Sequence, residues 1–79
     1  MPVIASENPT RRRALEVDER RERLGIPKAE IARRVGRETA PRYNYLAAVL
    51  RGETTSAPIV KEVERVLDEI EAEREGQAA

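Results

Sequence analysis

Proline and glycine divide this chain into four segments. Apart from Pro2, proline stands at positions 9, 27, 41 and 58, and glycine at positions 25, 36, 52 and 76. Each segment opens near a residue with helical φ built in and no amide hydrogen to satisfy. Each closes on a residue that leaves a helix without a steric penalty. No stretch shows the strict alternation of a strand, and there is no internal repeat or low-complexity tract. The pattern predicts an all-α fold, a small bundle of about four helices with a long C-terminal helix.

The local signals place the helices. Residues 1–8 read as a loose N-terminal arm, with no partner for Val3 and Ile4. Asn8 before Pro9 is a helix-start signal, so a first helix is expected over 9–24, ending at Gly25. Its apolar stripe is thin: Ala14, Val17 and Leu24, with Leu15 beside them. Ile26-Pro27 is a boundary, because the residue before proline avoids helical ψ. The second helix is expected at about 27–36, with Ile31, Ala32 and Val35 on one face. Thr39 is expected to cap a third helix over about 40–51, with Ala40 and Pro41 in its first turn. Ser56 is expected to cap the fourth, over about 57–75, whose stripe is Ile59, Val60, Val63, Val66, Leu67 and Ile70. Ile59, Val60 and Val63 are expected to pack on Leu15, Ile31, Leu46 and Val49. Gly76 should end the helix and leave 76–79 as a frayed tail. Residues 9–75 then form one domain, as expected for a chain of 79 residues.

Composition narrows the function classes. The chain has no cysteine, histidine, phenylalanine or tryptophan. Disulfides and thiolate chemistry are excluded, and the core must be aliphatic. Without histidine, cysteine or a glycine-rich phosphate loop, an enzyme fares poorly. Ser6 and Ser56 have no evident base, and Ser56 is explained as a cap. The acidic residues show no metal-ligand pattern, so neither a metal nor a cofactor is expected, and no small-molecule ligand is evident. The apolar runs are too short to span a membrane, and the N-terminus lacks a secretory layout. The expected location is the cytoplasm.

Net charge is zero, but it is unevenly distributed. Residues 1–56 hold 12 Lys/Arg and 8 Asp/Glu, and residues 57–79 hold 3 and 7. A basic body with an acidic tail is a polarised molecule, although ordinary solvated helix faces give the same count. Arg11, Arg12 and Arg13 lie in the first turns of the first helix, where its dipole disfavours cations. That placement suggests an outside anion such as phosphate.

The third helix carries the clearest functional signal. Counted back from Gly52, its inward face is Leu46, Val49 and Leu50. Its outward face is then Asn44, Ala47, Ala48 and Arg51: an amide, two small residues and a guanidinium. Such a face suits close approach, and the major groove of duplex DNA is the leading candidate. The opposite register, counted forward from Gly36, would bury Arg42 and Tyr45. A buried unpaired arginine is costly, so the first register is preferred.

Leu24-Gly25-Ile26-Pro27-Lys28-Ala29-Glu30-Ile31-Ala32-Arg33-Arg34-Val35-Gly36 resembles the second helix of the Cro and lambda-repressor-like helix-turn-helix proteins. Val49-Leu50-Arg51-Gly52 resembles the end of their recognition helix, and Ser56-Ala57-Pro58 the start of the next element. The resemblance covers about residues 14–70. Gly36 to Gly52 is about four residues longer than the usual interval, which enlarges the turn at 37–41. One long helix also replaces the family's further short one.

The resemblance implies a sequence-specific transcriptional regulator, a repressor of phage or mobile-element type, in a bacterial cell or phage-infected host. It assigns Lys28 to phosphate at the start of the second helix. It places Arg42, Tyr43 and Asn44 at base edges, where Arg suits guanine and Asn suits adenine. Ala47 and Ala48 would permit close approach. Arg51, with Thr54 or Thr55, would hold phosphates, joined by Arg11, Arg12 and Arg13. One of Tyr43 and Tyr45 is expected to be half-buried instead. Val66, Leu67 and Ile70 are expected to lie where the chain has little left to cover them, so a homodimer through them, on a palindromic operator, is expected. The alternative is a protein-binding helical module, antitoxin-like or an adaptor, that uses the acidic last helix.

Overall fold

The structure, a computed structural model, describes residues 8–78. The expected arm lies outside the described residues except for Asn8. Among those residues there are four helices: α1 (Pro9–Leu24), α2 (Lys28–Arg34), α3 (Arg42–Arg51) and α4 (Ala57–Ala78). The fold is all-α with a long C-terminal helix, as the punctuation predicts.

Local chemistry explains most boundaries. The Asn8 side chain accepts the Arg11 amide at 3.1 Å and caps α1, with Pro9 at the first helical position. Ser56 Oγ accepts the Ile59 amide at 3.4 Å at the start of α4. Three boundaries differ from expectation. α2 is shorter, seven residues from Lys28, because Pro27 itself serves as its N-cap. α3 begins at Arg42, and Thr39 is not its side-chain cap. Ala40 precedes a proline and so avoids the helical region, which moves the start one residue past Pro41. The Ala40–Pro41 peptide is cis, and Thr39 contributes only its carbonyl, to the Tyr43 amide at 3.0 Å. α4 runs through Gly76 to Ala78. One helical glycine costs only about 1 kcal/mol, and its neighbours Glu75, Gln77 and Ala78 favour a helix.

The core is one aliphatic cluster. α1 supplies Ala14 and Val17, α2 Ile31 and Ala32, and α3 Leu46, Val49 and Leu50. α4 supplies Ile59, Val60, Val63, Val66, Leu67 and Ile70, and Ile26 enters from the α1–α2 connection. Leu15, expected inside, is 37% exposed. It lies beside the inward stripe of Ala14 and Val17 and rests against the turn at Gly52.

The contacts between α1 and α4 fix their direction. Asn8 Nδ2 donates to Thr55 Oγ1, Arg13 pairs with Glu64, and Arg20 pairs with Asp68 and Glu71. Arg74 Nη1 donates to the Leu24 carbonyl at 2.8 Å. The partners are always 47–51 residues apart, so the helices run parallel and in step. This overturns the expectation that the far half of α4 is uncovered. Val66, Leu67 and Ile70 are 1%, 0% and 6% exposed within the single chain. They are core residues, not a free dimer face, because a parallel α1 follows α4 to its Arg74.

The connection after α1 is secured by the one buried charged residue among those described. Arg21 is 8% exposed. Its Nε donates to Asp18 at 2.7 Å and its Nη1 to the Ile26 carbonyl at 2.7 Å. Gly25, in the left-handed region at φ 73°, closes the helix just before.

Two outcomes follow from this packing. Leu67→Ala removes a fully buried side chain and is expected to cost about 2–5 kcal/mol in urea denaturation. A cost below about 1 kcal/mol would mean that Leu67 is not a core residue. The second concerns pH. Hydrogen bonds from Arg34, then Arg33, hold the Glu30 carboxyl below the usual glutamate range, and Arg34 also pairs with Glu73 at 3.2 Å. A carboxyl with a lowered folded pKa stabilises above its unfolded value, near about 4.3, and that stability is lost as pH falls through the folded value. With no histidine, no ordinary side chain titrates between about pH 5 and 8. The melting temperature is therefore expected to be flat over that range and to fall below about pH 4.5; a marked slope near neutrality would contradict the assignment.

Candidate nucleic-acid interface

α3 packs its inward side on α1, α2 and α4 and leaves the other side open. The expected register holds: Leu46, Val49 and Leu50 are fully buried, while Arg42, Asn44 and Arg51 are exposed. The open side differs in two members. Ala47 is only 7% exposed, so it packs inward and cannot face a ligand as expected. Tyr45, 43% exposed, stands outside in its place. The helical repeat accounts for this: Asn44, Ala48 and Arg51 lie at i, i+4 and i+7, and Tyr45 lies beside them. Ala47 follows Tyr43 and precedes Leu50 along the buried stripe. Tyr43 is accordingly the half-buried tyrosine, packed against the core, which turns it away from the outer side where base contact was expected of it. The signal was present in the sequence, since Tyr45 and Ala48 are three apart.

The first turn of α3 presents Arg42, exposed and without an ion-pair partner among the described residues. Asn44, two residues on, is also exposed. An amide and a guanidinium so placed have their donors and acceptors available for planar, two-point contacts.

The other end of α3 is engaged within the chain. Arg51 donates from Nε to Glu53 Oε2 at 2.8 Å and from Nη2 to Glu53 Oε1 at 2.9 Å, a two-point fork. The Arg51 hydrogen bond holds the Glu53 carboxyl below the usual range, and the charge of Lys28, the first residue of α2, acts in the same direction. Gly52, at φ 81°, closes the helix, and a β-carbon there would lie 3.1 Å from Arg11 Nε and 3.2 Å from Leu15 Cδ2. The backbone angle thus favours glycine here, and any side chain would also push the Arg11 and Leu15 side chains aside by a few tenths of an ångström.

The three arginines of α1 have internal work. Arg11 Nε donates to the Gly52 carbonyl at 2.9 Å, placing a cation on the negative end of the α3 dipole. Arg13 pairs with Glu64, and Arg12 also interacts within the chain. Their position at an unfavourable helix end therefore does not require an outside anion. The remaining assigned residues lie in the connection to α4. Thr54 is half-buried, and Thr55 accepts the Asn8 amide group at 3.2 Å. Lys28 is half-buried.

The charge polarity of the sequence is also resolved internally. Glu62, Glu64, Asp68, Glu71 and Glu73 of α4 pair with Arg37, Arg13, Arg20, Arg20 and Arg34. The basic body and the acidic last helix are two halves of one interface.

A shallow groove of about 350 Å³ opens between the starts of α1 and α4, lined by Pro9, Thr10, Arg13, Val60, Lys61 and Glu64 among others, and includes no residue of α3. Among the described residues, no group of acidic side chains is placed to hold a metal ion. No helix among them is long and apolar enough to cross a membrane. No family model, curated protein or solved structure matches the chain.

Proposed function

We propose that the protein is a sequence-specific binder of duplex DNA and lays α3 in the major groove. One observation carries this reading. The open side of α3 presents Asn44, Tyr45, Ala48 and Arg51, with Arg42 at its start, while most of the body's other arginines are engaged inside the molecule. A ten-residue helix is about 15 Å long, enough to present one turn of side chains to a few base pairs. Arg42 and Asn44 suit guanine and adenine edges. Tyr45 adds a flat apolar body with a hydroxyl that can donate to phosphate.

The resemblance to Cro and lambda-repressor-like proteins supports a regulatory role as a repressor of phage or mobile-element type, acting in the bacterial cytoplasm. It also supports two copies on a palindromic site. Such a dimer would use a surface other than Val66, Leu67 and Ile70, which the core occupies. A protein-binding role for α4 loses its main support, since five of its carboxylates already face arginines of the same chain.

Selection from a random duplex pool tests the reading, and a defined consensus is the expected result. On that site, Asn44→Ala is expected to weaken binding by about 1–3 kcal/mol and relax preference at one position, with helicity unchanged. Equal affinity of the variant and the parent would remove Asn44 from the interface; failure of the pool to converge would contradict sequence-specific binding.

A further inference from the structure

Arg51 and Glu53 are two residues apart and stand on opposite sides of the Gly52 turn. Their fork is formed by two nearly equal hydrogen bonds, 2.8 and 2.9 Å. A guanidinium offers this edge equally well to a carboxylate or to two oxygens of a phosphate. The pair lies at the surface, with side chains 48% and 60% exposed. Exposed pairs of this kind hold weakly, so another anion can exchange for the carboxylate. The charge of Lys28 reaches the same carboxylate from α2, and Arg11 reaches the same turn from α1 through the Gly52 carbonyl. Two cations from two helices, Arg51 and Arg11, thus meet at this turn, and Glu53 is the carboxylate held by one of them.

We infer that Glu53 occupies, in the free protein, the place on Arg51 that a DNA phosphate takes in the complex, and so acts as a built-in competitor that limits affinity for duplex. The inference rests on the duplex-binding reading. Its physical content is an exchange. The Arg51 fork leaves the carboxylate and closes on the phosphate, and the displaced Glu53 remains as a like charge beside the backbone. Both the lost pair and the residual repulsion weaken the complex. Neither depends on base sequence, so the competitor lowers specific and non-specific binding together and leaves their ratio intact.

The test compares the parent, Glu53→Gln and Glu75→Gln on a mixed-sequence duplex across a salt series. Both variants remove one negative charge, but Glu75 lies near the end of α4 and has no ion-pair partner among the described residues. Glu53→Gln is expected to bind about three- to tenfold tighter at low salt, and its log affinity to fall more steeply with log salt by up to about 0.9. Glu75→Gln is expected to stay within about twofold of the parent. Adding Arg51→Ala to Glu53→Gln should abolish the gain. Both sites are exposed, so the variants should keep the parent's helicity and melting temperature, which circular dichroism checks. If the parent binds and Glu53→Gln binds no better, the competitor is overturned and duplex binding stands. An equal gain in Glu75→Gln also overturns it, because net charge alone would then suffice. If no variant binds duplex, both readings fall; binding by Glu53→Gln where the parent shows none supports both.

Discussion

The parallel docking of α1 along α4 is the contact on which the rest of the molecule depends. The two helices are joined at intervals by Asn8 with Thr55, Arg13 with Glu64, Arg20 with Asp68 and Glu71, and Arg74 with the Leu24 carbonyl. Individually such surface links are weak. Their shared separation in sequence shows what they do together: they set the register in which Ala14 and Val17 meet the stripe of α4. Burial of that stripe supplies the stability, at about 25 cal/mol per Å² of apolar surface. The links select one alignment among several that an aliphatic stripe without aromatic landmarks would otherwise allow.

That alignment also decides what is left for a partner. Once α1 covers α4 to its far end, the apolar residues of α4 are occupied and most of its carboxylates are neutralised by arginines of α1, α2 and the following turn. α3 is held from behind by Leu46, Val49 and Leu50, and from its end by Arg11 on the Gly52 carbonyl. Its outer side leaves Arg42 and Asn44 exposed, without a role in the internal packing. The contrast between matched charge elsewhere and open polar groups on α3 directs the functional reading to that helix.

Features that depend on neighbours in sequence were legible before the fold. The Asn8 cap, the helix ends at Gly25 and Gly52, and the inward register of α3 all follow from local rules. So does the exposure of Arg42, because burying it would leave a cation without a partner. Features that depend on which helices meet were not legible. The stripe of α4 is visible in sequence, but the helix that covers it is not, so Leu67 and Ile70 looked exposed when they are core. Likewise the runs of arginine and glutamate count as a polarity until the parallel register brings them together. Ala47 departs from its expected face for a smaller reason. A small residue is compatible with either face of a helix, and only the neighbours Tyr43 and Leu50 settle which face it takes.

The salt dependence of duplex binding tests this account most directly, because it counts the cations that reach phosphate. With most arginines engaged on α4 or within the chain and Arg42 assigned to a base edge, Lys28 and Arg51 are the cations left for phosphate beside α3. Two phosphate contacts per chain, the second offset in part by Glu53, give a slope of log affinity against log salt of about −1 to −2. That is the range predicted for the parent protein, with a monomeric subunit as the unit of counting. A slope steeper than about −6 per chain would mean that arginines leave α4 to bind DNA, and absence of binding even at low salt would mean that the open side of α3 serves another partner.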